Sequence, residues 1–459
     1  MEKTKLHFDF APVTAKEWKQ KIQVDLKGAD YNETLVWESP DGIKVKPFYH
    51  HEDTGHKSFS AAKCPQPWYL GEFINADDAG TANSKALDIL KKGTETLIFK
   101  VSSETVAPDI LLAGIDLEKV RVHFFFGFLS RAYLDTVAKV VPENPAGIYF
   151  HSDIIGNLAR TGNWFKDQQQ DHENWDEILQ QFSGKQSFHT YSVDMALYQN
   201  AGASNVQQLA YGLAHISEYF NHNEGKNLGQ AVFRVAVGSD YFFEIAKLRA
   251  LRLLYATLAK EFEFKPECHI LAVPTRRNKT LYDYNTNMLR TTTECMSAVL
   301  GNADTVVNLP YDSLYHQPNE FGDRIARNQL LLLKEESHLD KVSNPAEGSY
   351  YIETITRQLA EKALQLFKQI EAGGGFLAQL KNHNIQKKIR ENAKKEQLAF
   401  EQGEKILVGT NKYENPEDKM KHNLEIDPFR NPRPRKTWIE PILEKRLAAG
   451  SEKKRLENE

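Results

Sequence analysis

Apolar and polar positions switch between two periods along most of this chain. The clearest unit is residues 231–275. Ala231–Gly238 reads AVFRVAVG, a β-branched and aromatic run, and His269–Thr275 reads HILAVPT. Between them Phe242, Ile245, Leu248, Leu251, Leu254 and Leu258 recur at three- and four-residue spacing, so one face of a helix over 241–262 must be buried. Asp240 stands where a carboxylate can accept the unpaired amides of the first turn. Two strands bridged by a helix lie parallel and are normally covered by helices.

The same switching predicts strands at 96–101, 120–126, 147–151, 188–196, 305–309 and 349–352. It predicts helices at 84–92, 130–140, 153–161, 206–220, 286–300, 323–339 and 354–371, the last closed by Gly373-Gly374-Gly375. Eight strand–helix repeats in about 290 residues are what a (β/α)8 barrel needs. A doubly wound sheet would carry a Gly-rich phosphate loop after its first strand, and SSETVAP follows 96–101 instead. Residues 1–80 read as an extension: a helix started by Thr14, then a hairpin turning on Ser39-Pro40-Asp41-Gly42. Residues 81–375 read as the barrel. Residues 376–459, with a charged helix at 380–402, the stretch DPFRNPRPRKTW and a final charged helix, read as a packing arm.

Composition narrows the class. The 459 residues are 41% hydrophobic and 26% charged, with Lys+Arg 58 against Asp+Glu 62 and a net charge of −4. Nothing in that balance asks for nucleic acid or an anionic membrane surface. No apolar run of about 20 residues is present, so no membrane-spanning helix is expected. MEKTKLHFDF lacks the apolar core of a secretory signal, which points to a cytoplasmic location. Cys64, Cys268 and Cys295 are far apart and lack CxxC spacing, as expected of reduced packing residues.

Several polar groups invite a chemical role, and each has a plainer alternative. His50, His51 and His56 share a polar loop, where exposed histidines are commoner than a metal site. Arg290 with Thr291 and Thr292 suits a salt bridge and helix hydroxyls better than a bound anion. Arg276, Arg277 and Lys279 follow a predicted barrel strand, where functional loops cluster. Arg276 and Arg277 are the candidates for a CoA-phosphate or partner contact, against solvated loop charge. His215 and His222 bracket a helix end, which favours a charge–dipole role over metal. Asp194 and Glu244 do not form a paired-carboxylate pattern.

Five segments, taken together and in order, carry a resemblance. They are EIAKLRALRLLYATL within 241–258, NMLRTTTECMSAV at 287–299, FGDRIARN at 321–328, NPAEGSYYIE at 344–353 and GTNKY at 409–413. With EWKQKIQVDLKGADYNETLVW near the start, they resemble the acyl-CoA mutase part of methylmalonyl-CoA mutase over nearly the whole chain. The resemblance implies a barrel threaded by the pantetheine arm of an acyl-CoA, with adenosylcobalamin across its mouth. In that family a separate domain with a D-x-H-x-x-G motif supplies the cobalt ligand. No such motif occurs here, so the cofactor is expected on another chain, and no cofactor or metal site is expected on this one.

The family's catalytic positions are altered. Its fourth strand ends in G-Y-H-M-Q-E-A-G-A, whose His donates to the thioester carbonyl. The matching run here is Met195-Ala196-Leu197-Tyr198-Gln199-Asn200-Ala201-Gly202-Ala203, with Leu197 in place of His and Asn200 in place of Glu. The fifth-strand R-L-S-F-F-W-G-I-G becomes Gln230 to Gly238, with Gln230 for Arg and Val232 for Ser. These losses imply a non-catalytic small (β) subunit, pairing with a catalytic large subunit that interconverts succinyl-CoA and methylmalonyl-CoA. On this view no residue of the chain is catalytic. The 1–80 extension is then an arm that contacts the partner. The competing expectations are an independent acyl-CoA-binding barrel and a transient chaperone of the large subunit.

Overall fold

The computed structural model describes residues 11–54, 67–223, 230–429 and 435–459. His56 and Cys64 lie outside the described residues. Two short strands, β1 (Trp37–Glu38) and β2 (Lys44–Val45), pair antiparallel as the predicted hairpin. Gly42, at φ +66°, closes its turn by donating its N–H to the Ser39 carbonyl at 2.8 Å. The next nine strands form one parallel sheet: β3 (Tyr69–Ala76), β4 (Thr96–Val101), β5 (Arg121–Phe126), β6 (Ile148–His151), β7 (Phe188–His189), β8 (Ser192–Asp194), β9 (Ala231–Val237), β10 (Cys268–Pro274) and β11 (Thr305–Val307).

The sheet order is β7-β6-β5-β4-β3-β11-β10-β9-β8. Its two end strands are neighbours in sequence, separated only by Thr190 and Tyr191. They act as one interrupted strand, with β7 bonded to β6 and β8 bonded to β9. Nine strands thus fill eight positions and close the ring, which is a (β/α)8 barrel.

The barrel begins earlier than the sequence suggests. Its first strand is β3, inside the stretch assigned to the 1–80 extension, and SYYI at 349–352 is no strand. YLGEFINA hides its strand character because Gly71 and Glu72 interrupt the apolar run. Glu72 faces outward and pairs with Arg327 at 2.5 Å. Tyr350 and Tyr351 instead open the helix Tyr350–Ala372, whose Ile352, Ile355 and Leu359 fall on one buried face. The predicted strand at 188–196 is broken, and its end folds into a short helix, Ala196–Asn200. The predicted helix at 380–402 is two helices, Gly375–Lys381 and Asn384–Glu401.

Helix Tyr241–Glu261 is buried on more than its apolar stripe. Phe242 is exposed, while Lys247, Arg249 and Arg252 lie inside, each with a partner. Asp240 holds the N-cap position without a side-chain cap bond. Two large apolar clusters fill the space between sheet and helices, and a third, smaller one lies inside the barrel. Among the described residues no helix is long and apolar enough to cross a membrane.

The C-terminal arm crosses the barrel's C-terminal face as a strap. Ile442 N–H donates to Ala159 O at 2.8 Å, Lys445 N–H to Asn200 O at 3.0 Å, and Leu447 N–H to Arg277 O at 2.9 Å. It ties together segments that follow three different strands, β6, β8 and β10.

Candidate functional site

Alternate residues of a barrel strand face its axis, and the pairing register says which. Phe73 lies opposite Ile98, Ile98 opposite His123, and His123 opposite Tyr149. Tyr149 lies opposite His189, and on the far side Leu271 lies opposite Arg234 and Thr305. The axis therefore has three tiers.

The lowest tier is aromatic and polar. His123 stacks on Tyr149 with ring centres 4.1 Å apart, and Tyr149 stacks on His189 at 4.5 Å. His269 leans on Tyr149 at 4.6 Å and shares a hydrogen bond with Thr305 Oγ1 at 3.1 Å. His123 Nδ1 and His151 Nε2 are 3.0 Å apart. Burial first, then mutual repulsion among the imidazoles and nearby arginines, drives His123 well below the usual histidine value. The same burial brings His151 and His189 to about 3 and His269 to about 4. His123, His189 and His269 are buried and His151 is partly exposed, and all four are held toward the neutral form.

The middle tier is an apolar plug of Ile98, Ala236, Leu271, Val273 and Val307, backed by Phe73 and Phe125. The upper tier is charged. Asp194 accepts from Arg234 at 3.0 Å and also pairs with Arg160. Asp153 lies 2.9 Å from His215 Nε2 and accepts from the Tyr219 hydroxyl at 2.7 Å. Burial pushes the Asp153 carboxyl up, but His215, Tyr219 and the Gly156 amide outweigh it and hold it at about 2.

The altered family positions fall around this axis as structural parts. Leu197 is 1% exposed and packs in the main core from the short helix after β8. Val232 points inward from β9 and is also 1% exposed. Gln230 precedes that strand, and its backbone N–H donates to His189 Nδ1 at 3.3 Å. Asn200 Oδ1 accepts from Thr275 Oγ1 at 3.0 Å and from the Arg276 amide at 2.9 Å.

The two candidate arginines part company. Arg277 is buried, its Nε on Glu396 at 2.5 Å and its Nη1 on the Lys445 carbonyl at 2.7 Å. It fastens the strap and lines the wall of the cavity at the barrel rim. Arg276 is exposed. Lys279 is no solvated charge either, being buried against Glu294 at 2.7 Å. Arg290 bonds Thr280, Asn287 and the Val408 carbonyl, and among the described residues it forms no salt bridge. His215 lies in the middle of its helix, bonded to Tyr198, so it has no helix-end role. His50, His51 and Glu52 bring ligand atoms within 4.8 Å of one another on the surface. Glu52 there already accepts from the Ala15 amide at 3.3 Å.

A cavity of about 540 Å³ opens at the barrel rim, between the hairpin, the ends of β9 and β10 and helix Asn384–Glu401. Its wall includes Gln199, Gln208, Asp240, Glu244 and Thr275. Burial, then Glu244 beside it, raises the Asp240 carboxyl to about 6.

Sequence reading missed the histidines along the barrel axis. A signal was there: histidine or tyrosine recurs at inward positions of β5, β6, β7 and β10. It becomes legible only once the register between strands is known.

Residues 101–456 match the family model described as methylmalonyl-CoA mutase. The chain is 32% identical over 450 residues to the methylmalonyl-CoA mutase small subunit of Porphyromonas gingivalis, covering 90% of this chain and 72% of that one. It is 31% identical over 418 residues to the small subunit of Streptomyces virginiae, covering 82% and 66%. It is 28% identical over 470 residues to the methylmalonyl-CoA mutase of Cereibacter sphaeroides, covering 89% and 66%. The chain thus spans between 66% and 72% of these relatives' lengths.

Proposed function

This chain belongs to the methylmalonyl-CoA mutase family, and on that premise we propose that it is a non-catalytic subunit supporting a catalytic large subunit. The carrying observation is the filled axis. Where the family resemblance places a pantetheine arm, the plug residues Ile98, Leu271 and Val307 are buried against one another, and the buried ring of His123 lies in the tier below. A substrate arm cannot occupy space that packed side chains already fill.

The chemistry fits the same reading. An acyl rearrangement needs a donor aimed at the thioester oxygen, and the position that would supply it is the hydrocarbon of Leu197, inside the core. The mouth also does not suit adenosylcobalamin. The strap occupies one side of it, and the Asp153–His215–Tyr219 group is committed to internal bonds. In the assembly the cofactor belongs to the large subunit.

The N-terminal arm supplies a partner surface. Helix Ala15–Asp25 buries none of its residues and exposes Trp18 at 46% and Val24 at 72%. A helix with apolar side chains in water is a natural contact for a second chain. The test is co-expression with the catalytic large subunit of the same cell, followed by size-exclusion chromatography with light scattering. A stable 1:1 species supports a lasting subunit. Folding help without a stable complex would favour a transient chaperone and count against this reading.

A further inference from the structure

The charged tier of the barrel holds more positive charge than its acids answer. Lys100 is the penultimate residue of β4, its Nζ 4.5 Å from the centre of the Phe73 ring. The Arg234 guanidinium lies 5.7 Å from the same ring and 5.5 Å from Phe125. Two cations therefore converge on one aromatic floor. Arg276, on the loop after β10, adds a third and is exposed.

The counter-charges are few. Asp194 serves both Arg160 and Arg234, and Asp153 is taken up by His215, Tyr219 and the Gly156 amide. Among the described residues no carboxylate lies within ion-pair distance of Lys100 or Arg276. We propose that Lys100, Arg234 and Arg276 form an oxyanion-binding site at the barrel mouth, taking the phosphate or carboxylate group of a small ligand above the apolar plug. These residues are distinct from Gln230 and Val232.

Three observations fit together here. Lysine and arginine are the side chains that hold phosphate and carboxylate, arginine by its planar fork and lysine as a point charge. The C-terminal face of a barrel is where its ligands bind. Crowding is also visible on Lys100 itself. Its side chain is exposed, yet desolvation, then Arg276 and Arg234, bring its ammonium down to about 8. An oxyanion seated among the three would reverse that pull.

The test uses the full chain without a partner. Inorganic phosphate and succinate are titrated separately by calorimetry, and Lys100 acylation by an amine-reactive ester is followed by peptide mapping. The expected result is saturable 1:1 binding of at least one of them, with slower Lys100 labelling. Binding should weaken at least tenfold in Arg276→Met, a surface change that spares the fold, and in Lys100→Met. Arg276→Lys should restore part of it. Phosphate alone binding assigns a phosphate ester, succinate alone assigns a carboxylate, and competition between them assigns a shared oxyanion seat. No saturable binding of either, or binding indifferent to Arg276→Met, overturns the proposal. The isolated chain is the sample, so that outcome would leave the subunit proposal standing.

Discussion

His123, His151, His189 and His269 have no room for a proton in the folded barrel. Their folded values lie far below the roughly 6.5 of an exposed histidine. The sign follows from linkage. Above pH 6.5 both states are neutral at these sites, and the stability is fully present. As pH falls, the unfolded chain takes up protons that the folded chain cannot, so stability is lost from pH 6.5 down toward pH 3 to 4. Each such histidine contributes a slope of about 1.4 kcal/mol per pH unit in that window. Carboxylates such as Asp153 add their own loss only below about pH 4. The thermal midpoint should therefore drop steeply between pH 7 and pH 5. His269→Gln should flatten that fall, and a midpoint constant over the range would refute the neutral-imidazole account. Leu197 tests the main core beside the barrel axis. Leu197→Ala should cost about 2–5 kcal/mol in urea unfolding. Leu197→His should yield no mutase turnover, because Gln230 and Val232 still lack their family groups; a substantial gain would show that the losses had been overread.

Element by element, the legible parts are those whose pattern answers to a single face. Helix Thr286–Leu300 and strand Thr96–Val101 agree with the periodicity at both ends, since one side of each meets water or the lumen and the other a core. β3 was illegible because its inward and outward sides both carry interruptions, Gly71 against Thr305 and Val307, and Glu72 against Arg327. Tyr350-Tyr351-Ile352 misled in the opposite way, as an aromatic run that opens a helix. The candidate site divides the same way. The loss of a donor at Leu197 is readable from the residue alone, but the fate of Arg277 depends on Glu396 and on the strap, both more than a hundred residues away. The strap's attachment is checkable. Arg277→Met removes two anchors and leaves the Lys445 carbonyl without its donor, so amide exchange across 438–447 should accelerate. Helix Tyr241–Glu261 should keep its protection. Equal loosening of both would mean that the strap and barrel unfold as one.

The molecule as a whole is a closed barrel whose axis is filled, whose C-terminal face is strapped, and whose N-terminal arm leaves apolar side chains outside. On the proposed subunit reading, a filled axis and an outward-facing arm go together: packing replaces substrate, and the arm is the surface offered to a second chain. Buried pairs such as Arg249 with Glu353 at 2.7 Å hold the helical layer in register. Arg249→Met, which strands Glu353 in the interior, should cost about 3–5 kcal/mol by chemical denaturation. The most direct trial of the account is one turnover assay. The purified chain is supplied with adenosylcobalamin and succinyl-CoA, first alone and then with the catalytic large subunit. The account predicts no methylmalonyl-CoA and no bound-cobalamin spectrum from this chain alone, with activity only in the 1:1 complex. Methylmalonyl-CoA formed by this chain alone would contradict it.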